Sequence, residues 1–180
     1  MSYILTHTGR KFYPMQPHFL DVDIVDIAHA LSQQCRFTGH TKEFFSVAQH
    51  SISVACQFHW GRDPLLALVG LLHDAPEAYL ADVSTPVKHA LTNYEDIEAG
   101  LWRAIAERFD LPAHWLHFVK HADLVALATE RRDLMPYHHE EWPILRGVVP
   151  VPWPIRPLPP TEAKELFLDT FDILTSFVRR

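Results

Sequence analysis

Cysteine is scarce in this chain: Cys35 and Cys56 are the only two in 180 residues. Two thiols make no disulfide framework, so the fold has to rest on its core, and both are expected to be reduced in a cytoplasmic protein. Long apolar runs are missing too, which excludes a membrane-spanning helix. The start, Met1 to His7, lacks the basic end and apolar stretch of a secretory signal. Positive charge is in short supply: 16 Lys and Arg stand against 22 Asp and Glu, for a net charge of −6. A nucleic-acid-binding surface needs clustered Lys and Arg, so that class is excluded. No internal repeat or low-complexity linker is visible.

What remains is ordinary globular material. The hydrophobic share is 48% and the charged share 21%, and the length suits one domain covering 1–180. Histidine is the exception. Thirteen for this length modestly favours a metal site.

Periodicity predicts a mostly helical chain. Residues 3–14 read as two short strands about a turn at Thr8-Gly9. A helix over 23–31 would bury Ile24, Ile27, Ala28 and Leu31. The polar stretch 35–43 reads as a loop. A second helix is expected over about 44–59, and a third runs from Pro64, well placed in a first turn, to about Asp74. After a connector at 82–86, a fourth covers about 94–109 and a fifth runs from beyond Pro112 to about Leu134. Eight of the fourteen prolines (136, 143, 150, 152, 154, 157, 159 and 160) crowd into 136–160, which therefore cannot be regular helix and reads as an extended arm. Thr161 is the expected cap of a last helix, 162 to about 178.

The chemistry concentrates at Leu71-Leu72-His73-Asp74-Ala75-Pro76-Glu77. A His-Asp pair follows an apolar helical stretch directly, and burying both groups there is costly without a partner. A divalent metal is the usual one. Neighbours on a helix diverge by about 100°, so both side chains reach one ion only where the helix ends, and Pro76 marks such an end. His50 upstream and Asp123 downstream are candidate ligands from other helices. A lone helical His is more often structural, and a lone Asp in Lys120-His121-Ala122-Asp123 more often a salt-bridged surface group. Jointly, with His73-Asp74 between them, they favour a metal site. Two imidazoles and two carboxylates suit one divalent ion such as Mn, Co, Fe, Ni or Zn.

Three blocks extend this pattern. The first is Cys35-Arg36-Phe37-Thr38-Gly39-His40 with Phe45-Ser46-Val47-Ala48-Gln49-His50-Ser51. The second runs from His73-Asp74 through Glu77 and Ala81-Asp82 to Thr85-Pro86-Val87-Lys88. The third is Lys120-His121-Ala122-Asp123 with Ala128-Thr129-Glu130-Arg131-Arg132-Asp133-Leu134. In this order they resemble the HD-domain metal-dependent phosphohydrolases, within them the bacterial and prophage 5′-deoxynucleotidase-like proteins. The resemblance implies an all-α helical bundle with a short N-terminal hairpin and a Pro-rich arm. It implies a nucleotide substrate, no nucleic-acid or membrane partner, and a homo-oligomer.

Carried over by position, His50, His73, Asp74 and Asp123 become the metal ligands and Glu77 the general acid/base. Glu77 also lies three and four residues past Asp74 and His73, within reach of water there; the plain alternative is a solvated helix-end carboxylate. Arg36 matches a phosphate-binding arginine whose planar fork suits phosphate oxygens. Phe37 stands where such proteins often carry Trp near the sugar. Asp82 matches a carboxylate facing the sugar 3′-hydroxyl, or else caps a turn. Lys88 and His40 are further phosphate candidates. The run from Glu130 to Asp133 reads as an ion-paired helix face, with an Arg at a subunit interface or substrate mouth left open.

The implied reaction releases phosphate from a deoxynucleoside 5′-monophosphate. The alternatives are a deoxynucleoside triphosphohydrolase, which would need more cationic groups near the motif, and a non-catalytic nucleotide sensor.

Overall fold

The computed structural model describes residues 2–179. Its architecture is all-α with a short N-terminal hairpin. Strands β1 (Ile4–Leu5) and β2 (Lys11–Phe12) pair antiparallel, Ile4 opposite Phe12. Each strand is only two residues long, because the turn between them takes up Thr6 to Arg10. Gly9 sits there at φ +82°, a conformation that suits glycine. The hairpin is anchored twice. Buried Asp26 accepts from the Thr8 backbone N–H (2.7 Å) and hydroxyl (2.8 Å), and fully buried Phe12 stacks on Tyr79 at 3.8 Å.

Helix α1 (Ile24–Gln33) starts where the Asp23 side chain accepts from Val25 N–H. Its expected apolar face is borne out: Ile27, Ala28 and Leu31 are fully buried. Helix α2 (Val47–Ala55) is shorter than the expected 44–59. Ser46 caps it by accepting from Gln49 N–H at 3.1 Å. Before the cap the chain is extended, with Cys35 and Ser46 bridged and the Phe45 carbonyl accepting from Arg36 N–H. Helix α3 (Pro64–Leu72) is apolar nearly all round, and Ala67 to Leu72 are buried. A helix of that kind belongs at the centre of a bundle.

Helices α4 (Glu77–Leu80) and α5 (Thr85–Lys88) are single turns; the second occupies part of what read as a connector. Helices α6 (Tyr94–Arg108) and α7 (Leu116–Asp133) fall close to expectation. Helix α8 (Pro160–Val178) corrects one reading: Thr161 lies inside the first turn and Pro159 holds the cap position, with no side-chain cap bond. Proline is at home there, because first-turn N–H groups lack helical partners anyway. Helix α3 packs against α2, α7 and α8, and α8 also covers α1. Ala163, Phe167 and Leu174 supply its buried face.

Between α7 and α8 the arm is extended apart from one 3-10 turn at Pro143–Leu145. Its backbone polar groups are taken up by side chains of the bundle. Val151 N–H donates to Thr129 Oγ1 (3.1 Å) and Ile155 N–H to Asp133 (2.9 Å). Gln49 accepts from Leu158 N–H and donates to the Arg156 carbonyl. No helix among the described residues is long and apolar enough to cross a membrane.

Candidate metal centre

Helix α3 stops at Leu72, and His73 to Pro76 form a turn before α4. That stop resolves the divergence of adjacent side chains: His73 Nε2 and Asp74 Oδ1 end 3.3 Å apart. His50 approaches from α2, fully buried, with its Nε2 3.3 Å from His73 Nε2 and 3.5 Å from Asp74 Oδ2. His50, His73 and Asp74 each offer a ligand atom within 4.8 Å of the other two, so this group could hold a metal ion. Asp123 on α7 joins through His50, Oδ1 lying 3.4 Å from its Nε2, while its other oxygen takes Lys120 at 3.2 Å.

The hydrogen bonds on the far ring nitrogens test whether a cation fits. His73 Nδ1 lies 2.7 Å from the Gly70 carbonyl, which can only accept, so Nδ1 carries the proton. His50 Nδ1 lies 2.5 Å from buried Glu130. Burial opposes the charge of Glu130, but His50 and Arg36 outweigh it and hold its pKa low, so this oxygen accepts as well. In the neutral rings both Nε2 atoms therefore present lone pairs to one another and to two carboxylates. Electron-rich atoms converging in this way favour a cation among them, and far-nitrogen bonds of this kind orient metal-ligating histidines. Burial and Arg36 lower the His50 pKa, yet Glu130 and Asp123 outweigh them and push it up to about 10. The residues fit a metal ion.

Around the cluster stand the other predicted residues. Arg36 is nearly buried and lies 3.2 Å from Glu130 and 3.6 Å from Asp74. Its Nε is buried without a hydrogen-bond partner among the described residues. Burial weakens its charge, but Glu130, Asp74, Asp82 and Glu77 more than restore it. Burial likewise works against an ionised Asp74, and His73, His50 and Arg36 still hold its pKa low.

Glu77 opens α4, only 3% exposed. Lys88 donates to its Oε1 at 3.1 Å, and Oε2 has no hydrogen-bond partner among the described residues. The two partners of this pair pull differently. Burial, Asp74 and Asp82 raise the Glu77 pKa well above the ordinary value. The Lys88 pKa is also raised: burial opposes it, but Glu77 and then Glu98, 3.0 Å away, outweigh that. Glu77 is the group of this pair inclined to keep its proton, since it is far more buried than Glu98 and faces two further carboxylates. Lys88 is thus engaged with carboxylates rather than free. Burial also raises Asp82.

Phe37 lies beside the Arg36 guanidinium (5.5 Å) and Trp142 (6.0 Å). His40 is exposed, and its backbone N–H closes a turn on the Phe37 carbonyl; no side-chain bond ties it to the cluster among the described residues. Backbone strain gathers here. Phe37 and Thr38 are both left-handed (φ 54° and 53°), and Ala81, just before Asp82, sits at φ 70° and ψ 160°. Such conformations cost of order 1–3 kcal/mol each and persist only where surroundings impose them. Gln34 is one such restraint, donating to the Glu77 carbonyl and accepting from Asp82 N–H, each at 3.0 Å.

The run from Glu130 to Asp133 is not a plain ion-paired face. Glu130 turns inward to His50 and Arg36. Arg131 bonds the Glu140 carbonyl and lies over Trp142. Arg132 pairs with Asp133, and both clamp the arm. One available signal for Glu130 was its spacing: seven residues after Asp123, it shares that helix face.

No family model matches the chain. It is 39% identical over 176 residues to the "Uncharacterized protein YfdR" of Escherichia coli strain K12, covering 97% of both chains. It is 33% identical over 182 residues to the "Uncharacterized protein RCAP_rcc00048" of Rhodobacter capsulatus, covering 93% of this chain and 92% of the other.

Proposed function

This chain belongs to the YfdR family, and we propose that it is an HD-domain, metal-dependent phosphohydrolase acting on deoxynucleoside 5′-monophosphates. The supporting observation is the pair of imidazole Nε2 atoms 3.3 Å apart, each ring fixed through its other nitrogen, with two carboxylates alongside. Mixed nitrogen and oxygen donors favour a first-row ion such as Mn, Co, Fe, Ni or Zn. Bound there, such an ion supplies Lewis acidity toward phosphoryl oxygens and water.

The chain's own residues supply the rest. Arg36 brings the positive charge that an acidic protein needs to attract a phosphate, and its unpartnered Nε is a donor not yet used. Glu77 holds or accepts a proton at a buried oxygen. Asp82 stands nearby for a sugar hydroxyl. Phe37, in place of an indole, offers the sugar an apolar face without an N–H donor.

The reading is tested by supplying deoxynucleoside mono-, di- and triphosphates with each of the five metals and identifying what is released. Inorganic phosphate from the monophosphates is expected. Triphosphate release would move the activity to a triphosphohydrolase, and no release with any metal would leave a nucleotide sensor.

Arg36→Ala is expected to cost roughly 2–4 kcal/mol of transition-state stabilisation, the scale of losing one charged donor in a catalytic site. Arg36→Lys should restore only part, because a point charge cannot reproduce a planar fork. The check is kcat/KM in all three forms. An alanine variant equal to the parent would place the phosphate clamp elsewhere.

A further inference from the structure

A cavity of about 500 Å³ opens between the last turns of α7 and the arm. Neither the metal cluster nor Arg36, Phe37, Glu77, Asp82 or Lys88 lines it. Its volume lies in the range of small-ligand sites.

The lining is cationic in a chain whose net charge is −6. Lys42, Arg131, Arg132 and Arg146 face it, against one carboxylate, Glu141. Arg132 is already neutralised by Asp133 at 2.6 Å. Lys42, Arg131 and Arg146 have no carboxylate within ion-pair distance among the described residues. Nor are the walls loose. The Arg131 guanidinium is pinned over the Trp142 ring at 5.2 Å and bonded to the Glu140 carbonyl. The arm behind it is held by Thr129 and Asp133. Arg131 is thus fixed, Lys42 donates to the Asp133 carbonyl at 3.4 Å, and unpaired cations gathered around a formed cavity select an anion, with guanidinium groups suiting phosphate in particular. Tyr137, another lining residue, is 92% exposed. An aromatic ring left in water beside such a cavity offers a stacking face for a planar base.

We propose that this cavity binds a nucleotide, its phosphate against Lys42, Arg131 and Arg146 and its base against Tyr137, at a site apart from the metal centre. The proposal does not rest on the hydrolase reading. It stands if no nucleotide is hydrolysed, and it can fail while hydrolysis is found.

The experiment is equilibrium dialysis of the full chain carrying Asp74→Asn, in the presence of a chelator. The probes are dAMP, inorganic pyrophosphate and uncharged deoxyadenosine. dAMP should bind, added salt should weaken it, and pyrophosphate should compete. Deoxyadenosine should bind at least about tenfold more weakly than dAMP, since it lacks the charge-assisted bonds. Adding Lys42→Glu with Arg146→Glu should reduce dAMP affinity by about tenfold or more. Both residues are exposed and make no ion pair among the described residues, and Lys42→Ala with Arg146→Ala gives the same direction should the reversal disturb folding. Four results would overturn the proposal: no dAMP binding once the metal centre is disabled, binding indifferent to both double variants, deoxyadenosine binding as well as dAMP, or pyrophosphate binding where dAMP does not.

Discussion

Glu77→Gln is expected to lower turnover by about 10²–10⁴-fold while metal content and nucleotide affinity stay near those of the parent. Glutamine keeps the shape of the side chain and a hydrogen bond toward Lys88, so the change removes a proton-transfer group and little else. Burial, reinforced by Asp74 and Asp82, raises the Glu77 pKa. The carboxyl thus stays protonated into a range where an ordinary glutamate is ionised. Acting as a proton acceptor it works only once ionised, so kcat/KM of the parent should climb with pH through that raised value. This limb should vanish in Glu77→Gln. A variant with near-parent turnover would reduce Glu77 to a buried partner of Lys88.

Glu130→Ala is expected to be the most damaging single change to the bundle. It strips Arg36 and His50 of a fully buried carboxylate that lies 3.2 Å from one and 2.5 Å from the other. Breaking a buried pair on one side typically costs about 3–5 kcal/mol, because the remaining charge is left uncompensated. Metal affinity should also fall, by about 10–100-fold, since the His50 ring loses the acceptor that fixes it. Glu130→Gln should be milder on both counts, as its amide oxygen still accepts from Nδ1. Urea unfolding and metal titration separate the two effects. Parent-like stability and affinity in Glu130→Ala would remove Glu130 from any positioning role.

Much of this arrangement was legible from residue types and spacing. Helix-period apolar residues marked α1 and α6, and an end of α3 near His73-Asp74 followed from the demand that both face one point, although it was expected at about Asp74 and falls after Leu72. Hidden features were those set by partners distant in sequence. Glu130 meets Arg36 across 94 positions. Only its spacing from Asp123 separates it from Arg131 to Asp133, yet Glu130 turns inward while Arg132 and Asp133 together clamp the arm. Helix α2 reads long from its apolar content, whereas Ser46 decides where it begins by offering its hydroxyl to Gln49. Lys88 read as a phosphate candidate, and only its ion pairs with Glu77 on α4 and Glu98 on α6 show it engaged. Proline content marked the arm as extended but was silent about the side chains that hold it.

The central claim, that His50, His73 and Asp74 with Asp123 form a divalent metal centre, is tested most directly by elemental analysis of protein purified without chelator. The parent should carry about one first-row transition-metal ion per chain, as one cluster of this donor set implies, and both His73→Ala and Asp74→Ala should lose it while remaining folded by circular dichroism. Metal retained at the parent level by both folded variants would contradict the account.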